Sequence, residues 1–445
     1  MEALPRRVLI LGLGRSGVAT ARYLAAERAA GADVTIGLLD EGTGPELSAT
    51  AASLRSEGVP VSLATTSVSE GWDLIVASPG IPPESSLMRS ARASGAPVVS
   101  EVEFAFSRAR APFVAVTGTN GKTTTTALVA HLLTGAGISA EAVGNIGSPA
   151  IAAVRDAGAA SVLVAEVSSF QLSLTVGFHP KVAVLLNITP DHLDWHGSLE
   201  AYEADKVKVF ANMTAGDTAV IDIDDPGSAP WADRVEARGV RVVRVSQERR
   251  PAGGAYLVDG MLSIDSATGA IPLLAVSELG IRGRHNVGNA LAAAAAAIAM
   301  GAEIPAIRSG LRGFRPIEHR LEPVGAVAGV EYFNDSKATN PDAVLKALTA
   351  FDERPLIVLL GGRNKGNDFT GLAEAVAARC KRAVLFGESA QQLRAAFEPT
   401  GSAWSIAPTM EAALATASAQ ACPGDVVLLS PACASFDEFR SYEHR

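Results

Sequence analysis

Thr117-Gly118-Thr119-Asn120-Gly121-Lys122-Thr123 stands between an apolar, β-branched run at 113–116 and a helical pattern at 124–133. A glycine-rich loop between a strand and a helix turns successive backbone N–H groups toward one point, and the helix N-terminus adds its own unpaired donors. A lysine ending such a loop supplies a compact charge for β- and γ-phosphates, and a hydroxyl after it suits Mg²⁺. Lys122 and Thr123 occupy those places; Thr119, Asn120, Gly121, Thr124 and Thr125 complete the candidate triphosphate cradle. The loop departs from the strict Walker pattern, because no glycine lies five residues before Gly121. A glycine-rich turn carrying a surface lysine is the plainer alternative. The strand, loop and helix in register favour triphosphate binding.

Outward from this loop, apolar β-type runs alternate with helical patterns almost throughout, which implies an α/β protein with parallel sheets. One segment holds runs at 8–11, 33–39, 73–77 and 97–100, and a second holds 113–116, 161–167, 181–188 and 218–223 before an alanine-rich helix at 286–300. A third begins near Phe314-Arg315-Pro316 and contains 355–360, 382–386 and 425–429. The expected organisation is three domains, each on a mostly parallel sheet: Rossmann-like over 1–103, P-loop-type over 104–313, and Rossmann-like over 314–445. A length of 445 residues agrees with three domains at roughly 150 residues each.

The first segment has its own glycine loop, Gly12-Leu13-Gly14-Arg15-Ser16-Gly17, directly after a strand. It fits G-x-G-x-x-G, in which the glycines allow a tight turn, close approach to a pyrophosphate and helix–strand packing. Asp40 ends the second strand, where an acid would accept a ribose hydroxyl. Taken alone, this loop points to an NAD-dependent oxidoreductase. A second, triphosphate-type loop has no evident use in such an enzyme. Together the loops suggest an ATP-driven reaction on a substrate with a diphosphate handle.

Composition narrows the partners. A formal charge of −9 disfavours bulk attraction to nucleic acid or an anionic membrane. Three cysteines, odd in number and not closely paired, argue against a disulfide framework and for a reducing, cytoplasmic setting. Arg6-Arg7 precedes an apolar stretch that glycines interrupt, so it reads as a strand and not as an export signal. The longest apolar run, 290–300, is too short to span a bilayer. Of 38 basic residues only eight are lysines, so each surviving lysine invites a reading that needs an ammonium or a nucleophilic amine.

Glu166 ends an apolar strand as a Walker B acid does, a place for Mg²⁺. Asp191-His192-Leu193-Asp194-Trp195-His196 also invites a zinc reading, with histidines at i and i+4. No third histidine or cysteine cluster completes it, so hard Mg²⁺ with water and phosphate ligands is preferred.

The loop 117–123 joins further motifs: Glu166-Val167-Ser168-Ser169-Phe170-Gln171-Leu172, residues 187–194, and Gly283-Arg284-His285-Asn286-Val287-Gly288-Asn289. It joins also Glu318-His319-Arg320, Asn334-Asp335-Ser336-Lys337-Ala338-Thr339-Asn340, residues 361–365, and Ser430-Pro431-Ala432-Cys433-Ala434-Ser435-Phe436. In these, over nearly its whole length, the chain resembles the Mur ligases of peptidoglycan synthesis. The Ser-Lys-Ala-Thr-Asn and Ser-Pro-Ala-Cys-Ala-Ser runs resemble the D-glutamate-adding branch.

The resemblance implies an ADP-forming ligase that takes ATP, UDP-N-acetylmuramoyl-L-alanine and D-glutamate and passes through an acyl phosphate. It implies two Mg²⁺ ions, with Thr123, Glu166 and His192 as ligands, and a carbamate formed from CO₂ on Lys206. Lys208 is the alternative if the register is off by two. Lys122, His192 and Lys206 are the implied catalytic residues. Asn286, Asn289, Arg320, Asp335 and Lys337 match nucleotide-contacting positions. Gly14, Arg15, Ser16, Asp40, Gly80 and Asn145 are expected to hold the UDP end. Thr339, Lys365, Ser435, Phe436 and Tyr442 are expected to form the D-glutamate pocket, with Tyr442 where relatives often have phenylalanine. Relatives usually continue past the position of His444-Arg445, so a truncated C-terminus is an expectation. A monomer without membrane insertion and without nucleic-acid partners is expected.

Overall fold

In a computed structural model, residues 3–315, 318–351 and 354–445 are described, the side chain of Asp194 apart. Of the Phe314-Arg315-Pro316 junction, Pro316 therefore lies outside the described residues. The chain forms three α/β units on sheets of five, nine and six strands. Strands buried on both faces are what parallel sheets between helices require. Phe113–Thr117, Val162–Glu166 and Leu356–Gly361 are buried at every residue.

The first sheet is wholly parallel, in the order Val61–Ser62, Thr35–Leu39, Arg7–Leu11, Leu74–Ala77, Val98–Ser100. That is the doubly wound order, which opens a crevice at the strand C-termini beside the first loop. Gly17 shows how tightly strand and helix meet there: a Cβ on it would lie 1.9 Å from Gly12 O. Helix Glu101–Arg108 then leads into the second sheet, with Glu101 accepting from Ile151 N at 2.6 Å and Glu103 accepting from the N–H groups of Val176, Gly177 and Phe178.

In the second sheet the loop-bearing strand Phe113–Thr117 lies between Val162–Glu166 and Val182–Leu185. Thr218–Asp222 and Arg241–Ser246 follow beyond Val182–Leu185, all parallel. Ala255–Val258 joins Arg241–Ser246 in parallel, and Met261–Ser266 and Gly269–Ala275 then extend this edge by antiparallel pairing. Helix Arg284–Ala299 packs along helix Lys122–Gly135, and its alanines at 290 and 292–297 are buried, so the two backbones approach closely. The third sheet is parallel except for Glu322–Val327.

Strand positions agree with the sequence reading to within a few residues. The reading passed over Val61–Ser62, Ala140–Gly144, the run from Arg241 to Ala275, Glu322–Val327, Val330–Asn334 and Trp404–Ile406. Val61–Ser62, Ala140–Gly144, Glu322–Val327 and Trp404–Ile406 lie at sheet edges where burial does not impose a pattern, and Glu322–Val327 is exposed over five of its six residues; Arg241–Ser246 and Val330–Asn334 are interior strands whose polar residues interrupt the apolar run.

Candidate active site

The loop 117–123 is held by its packing. Gly121 has φ +88°, and a Cβ there would lie 2.4 Å from Asn289 Oδ1. Asn187 staples the neighbouring peptide: its Oδ1 accepts from Asn120 N at 2.8 Å and its Nδ2 donates to Asn120 O at 3.0 Å. Lys122 donates to Gly118 O at 2.8 Å and Thr119 O at 2.9 Å. Lys206, on helix Leu199–Val207, reaches the same Gly118 O at 2.8 Å and lies 4.5 Å from the centroid of the Tyr202 ring. Burial pushes Lys206 well below the ordinary lysine range, and the nearby Lys122 charge adds to this. Burial lowers Lys122 as well. Lys208 points elsewhere, donating to Ser173 O and Asp205 Oδ1.

Glu166 pairs in register with Val116, one residue before the loop's root. Its Oε1 accepts from Asn145 Nδ2 at 2.8 Å, whereas Oε2 is buried without a hydrogen-bond partner. A buried polar atom left unpaired costs about 1–3 kcal/mol, and more for a charge, so this oxygen marks a place for a cation. Thr123 Oγ1 accepts from Arg320 Nη2 at 2.8 Å. His192 has φ +53° and meets Phe170 edge-on, with ring centroids 4.9 Å apart. A carboxylate, a hydroxyl and an imidazole near phosphate-binding groups fit Mg²⁺ that keeps several waters. Among the described residues no three His, Cys, Asp or Glu side chains converge on one point. His196 turns inward instead, between Ser169 Oγ at 2.9 Å and Asp205 Oδ2 at 3.1 Å.

Asp191 was quoted in the sequence motif but given no role, and the fold puts it at the centre. It accepts from Asn340 Nδ2 at 3.2 Å, its Oδ2 lies 3.7 Å from His192 Nε2, and its Oδ1 lies 3.8 Å from Lys365 Nζ. Asn120 Nδ2 donates to Asp342 Oδ2 at 2.6 Å, which ties the loop to the third unit. The Asp-His pairing was the available signal for Asp191. Nothing local pointed to Asn340 or Asp342.

Three regions radiate from this centre. A cavity of about 540 Å³ is lined by Asn120, Gly121, Thr124, Asn286, Asn289, Arg320 and Asp335. Asp335 is pushed up to about 7 by burial, despite accepting from Ser430 Oγ at 2.7 Å. A second cavity, about 410 Å³, takes in Gly14, Arg15, Ser16, Asp40, Gly80 and Asn145 together. Asp40 also pins the first loop, accepting from Leu13 N at 2.6 Å and Gly42 N at 2.7 Å. In the third region Lys365 Nζ donates to Thr339 Oγ1 at 3.2 Å. Tyr442 sits with Lys337, whose ammonium donates to its hydroxyl at 2.7 Å; burial lowers that lysine to about 8. Ser435 is buried and Phe436 is 61% exposed; neither side chain hydrogen-bonds to Lys365 among the described contacts.

Three family models match in succession: the Mur ligase MurD-like N-terminal domain over residues 6–100, the Mur ligase middle domain over 116–297, and the Mur ligase glutamate ligase domain over 319–433. A UDP-N-acetylmuramoylalanine–D-glutamate ligase of Pelotomaculum thermopropionicum is 44% identical, covering 99% of this chain and 95% of that protein. One from Acidobacterium capsulatum is 40% identical, covering 100% and 95%. Among solved structures, a pseudomurein peptide ligase type C of Methanothermus fervidus superposes with a TM-score of 0.61 at 20% identity, over 95% of this chain and 96% of that one, a likeness of fold. With motif, fold and full-length relatives in agreement, the chain belongs to the Mur ligase family.

Proposed function

We propose that this chain joins D-glutamate to UDP-N-acetylmuramoyl-L-alanine, converting ATP to ADP and phosphate, in the cytoplasm. Its relatives are named for that ligation, and the family uses ATP and Mg²⁺. The observation that carries the reading is the Asn145–Glu166 pair. Asn145 lines the cavity of the first loop, and the carboxylate it holds stands at the root of the second. A diphosphate-linked substrate and a triphosphate therefore meet at one buried acid. We assign residues 1–103 to the UDP substrate, 104–313 to ATP and 314–445 to D-glutamate.

In this reading the L-alanyl carboxylate attacks the γ-phosphorus, the β–γ bridging bond breaks, and ADP leaves an acyl phosphate. The D-glutamate amine then attacks the carbonyl carbon, and phosphate departs. Lys122 and Arg320 leave their present partners, Gly118 O and Thr123 Oγ1, for phosphoryl oxygens as charge develops there. Thr123, Glu166 and His192 would hold Mg²⁺, which supplies charge neutralisation when bound. Burial lowers Lys206 well below the ordinary lysine range, which favours the uncharged amine that adds CO₂; as a carbamate it would face the metal with an anion. Lys365 and Thr339 offer a cation and a hydroxyl to a dianionic amino acid, and we assign Ser435, Phe436 and Tyr442 to the same pocket.

The test is turnover of the full chain with ATP, Mg²⁺, UDP-N-acetylmuramoyl-L-alanine and D-glutamate. Equal amounts of ADP, phosphate and amide product are expected, with none from L-glutamate. Phosphate release without amide, or preference for another amino acid, would overturn the assignment.

A further inference from the structure

Glu101 opens the helix Glu101–Arg108, which leads from the first sheet to the second, and its side chain is buried. It lines neither of the cavities read as substrate sites. Its Oε1 accepts from Ile151 N at 2.6 Å, while Oε2 is buried without a hydrogen-bond partner. Glu103, on the same helix, uses both of its oxygens on the N–H groups of Val176, Gly177 and Phe178. Burial pushes the Glu101 carboxyl up to about 7, against the pull of the Ile151 N–H. A buried carboxyl with an unpaired oxygen is a costly way to fill space. What it provides here is the bond to Ile151.

Ile151 follows a tight turn whose far end is the Asn145–Glu166 pair. Gly144 N donates to Ser148 O at 2.8 Å, which closes the turn, and Gly147 bends it with φ +58°. Asn145 N donates to Glu166 O at 2.9 Å, in addition to its side-chain bond to Glu166 Oε1. Turn and strand touch at this end: a Cβ on Gly144 would lie 2.5 Å from Glu166 O. Asn145 and Pro149 both line the cavity of the first loop. Helices Arg15–Ala29 and Glu101–Arg108, from the first unit, pack on the short helix Ala150–Ala153 that continues from the turn. Residues 144–151 are therefore fastened to the second unit at Glu166 and to the first at Glu101.

We propose that Glu101 is a positioning residue for the UDP substrate: by holding Ile151 N it sets where Asn145 and Pro149 stand against the first loop. Without that acceptor, Ile151 N becomes a buried donor with no partner, and the turn is held at Glu166 alone. Asn145 then keeps its acid but loses its register with Gly14 and Ser16 across the cavity. A substrate that spans both units must first restore that register, at a cost in binding. The inference rests on the reading of the 410 Å³ cavity as the UDP site.

The experiment measures KM for each substrate in the ligation assay, together with calorimetric titration of UDP-N-acetylmuramoyl-L-alanine into the full chain. Glu101→Met removes the acceptor at similar size. It should raise KM and Kd for the UDP substrate about tenfold, as loss of one partner of a buried hydrogen bond commonly does. KM for ATP and for D-glutamate should stay within about twofold, which a general loosening of the fold would not spare. Glu101→Gln keeps an oxygen for Ile151 N and should restore near-normal binding. Asn145→Ala should weaken the UDP substrate at least as much as Glu101→Met. The double variant should be little worse than Asn145→Ala alone, because the two residues act in series. If Glu101→Met does not fold, Glu101→Asp, one methylene too short to reach Ile151 N, replaces it. UDP-substrate binding near wild type in the Met or Asp variant, a Gln variant as weak as Met, or effects that multiply in the double variant overturn the inference. A wild type that does not bind the UDP substrate overturns the parent reading instead.

Discussion

At residues 12–17 the chain turns from strand to helix with an exposed Arg15 and an acid, Asp40, bonded to the loop's backbone. At 117–123 it makes the same turn with Lys122 inside the loop, Lys206 on the same carbonyl and Arg320 on the following hydroxyl. In the proposed reading both loops aim backbone N–H groups at a phosphate. Only the second gathers basic side chains, Lys122, Lys206 and Arg320, around a carboxylate with an unpaired oxygen. A phosphate that is merely held needs geometry; one that is transferred needs charge placed where charge will develop. In the proposed reading this difference separates a binding loop from a reacting one, and mutations in the two loops test that separation.

The largest effect belongs to Lys122→Ala. Removal of one preorganised charge from a transfer site typically lowers kcat by about 10²–10³, whereas KM for the UDP substrate should barely move. Far-ultraviolet circular dichroism should match the wild type, because among the described residues the ammonium's hydrogen bonds go to carbonyls of its own loop. A well-folded variant with near-normal turnover would erase the contrast between the loops.

Lys206 comes next. Lys206→Arg keeps a cation but cannot form a carbamate, so a loss of roughly 10–100-fold is expected. Lys206→Ala should lose as much and recover in part with added acetate; arginine should not recover. Arginine near wild type would leave Lys206 as a loop brace on Gly118. Stability supplies an independent reading. Between its lowered pKa and 10.5, the unfolded chain binds more protons at Lys206 than the folded one, so stability rises with pH across that window. Lys206→Met removes the term, and its stability relative to wild type should decline as pH approaches 10.5. A constant difference across the window would mean that the amine is charged in the fold.

The loop 117–123 was legible in sequence as a candidate because its strand, glycines, lysine and helix are contiguous, and Glu166 because it ends an apolar run. Lys206 lay within an ordinary charged helix and emerged only through family resemblance; its burial, on which the chemistry proposed for it rests, leaves no local trace. Asp191 and Asn340 meet across 149 residues, and Asn120 and Asp342 across 222. Such contacts depend on how the third unit packs on the second, and periodicity within either unit carries no record of that. The same holds for Tyr442, which the resemblance assigned to D-glutamate and which the fold seats on Lys337.

The smallest effect is expected at the holding loop. Asp40→Ala removes acceptors from Leu13 N and Gly42 N, bonds of the charge-assisted kind that contribute about 1.5–3 kcal/mol each. The loop should loosen without dissolving, because Gly12 N still donates to Leu39 O at 2.8 Å and Gly17 still packs on Gly12 O. Most of the lost energy therefore falls on ordering the loop when the UDP substrate arrives. That raises its KM by about tenfold, a shift of roughly 1.4 kcal/mol. kcat and the KM for ATP should stay within twofold. Asp40→Asn, which keeps one acceptor oxygen, should fall between. If Asp40→Ala instead lowers kcat as Lys122→Ala does, the first loop takes part in the chemical step, and the division into a holding loop and a reacting loop is wrong.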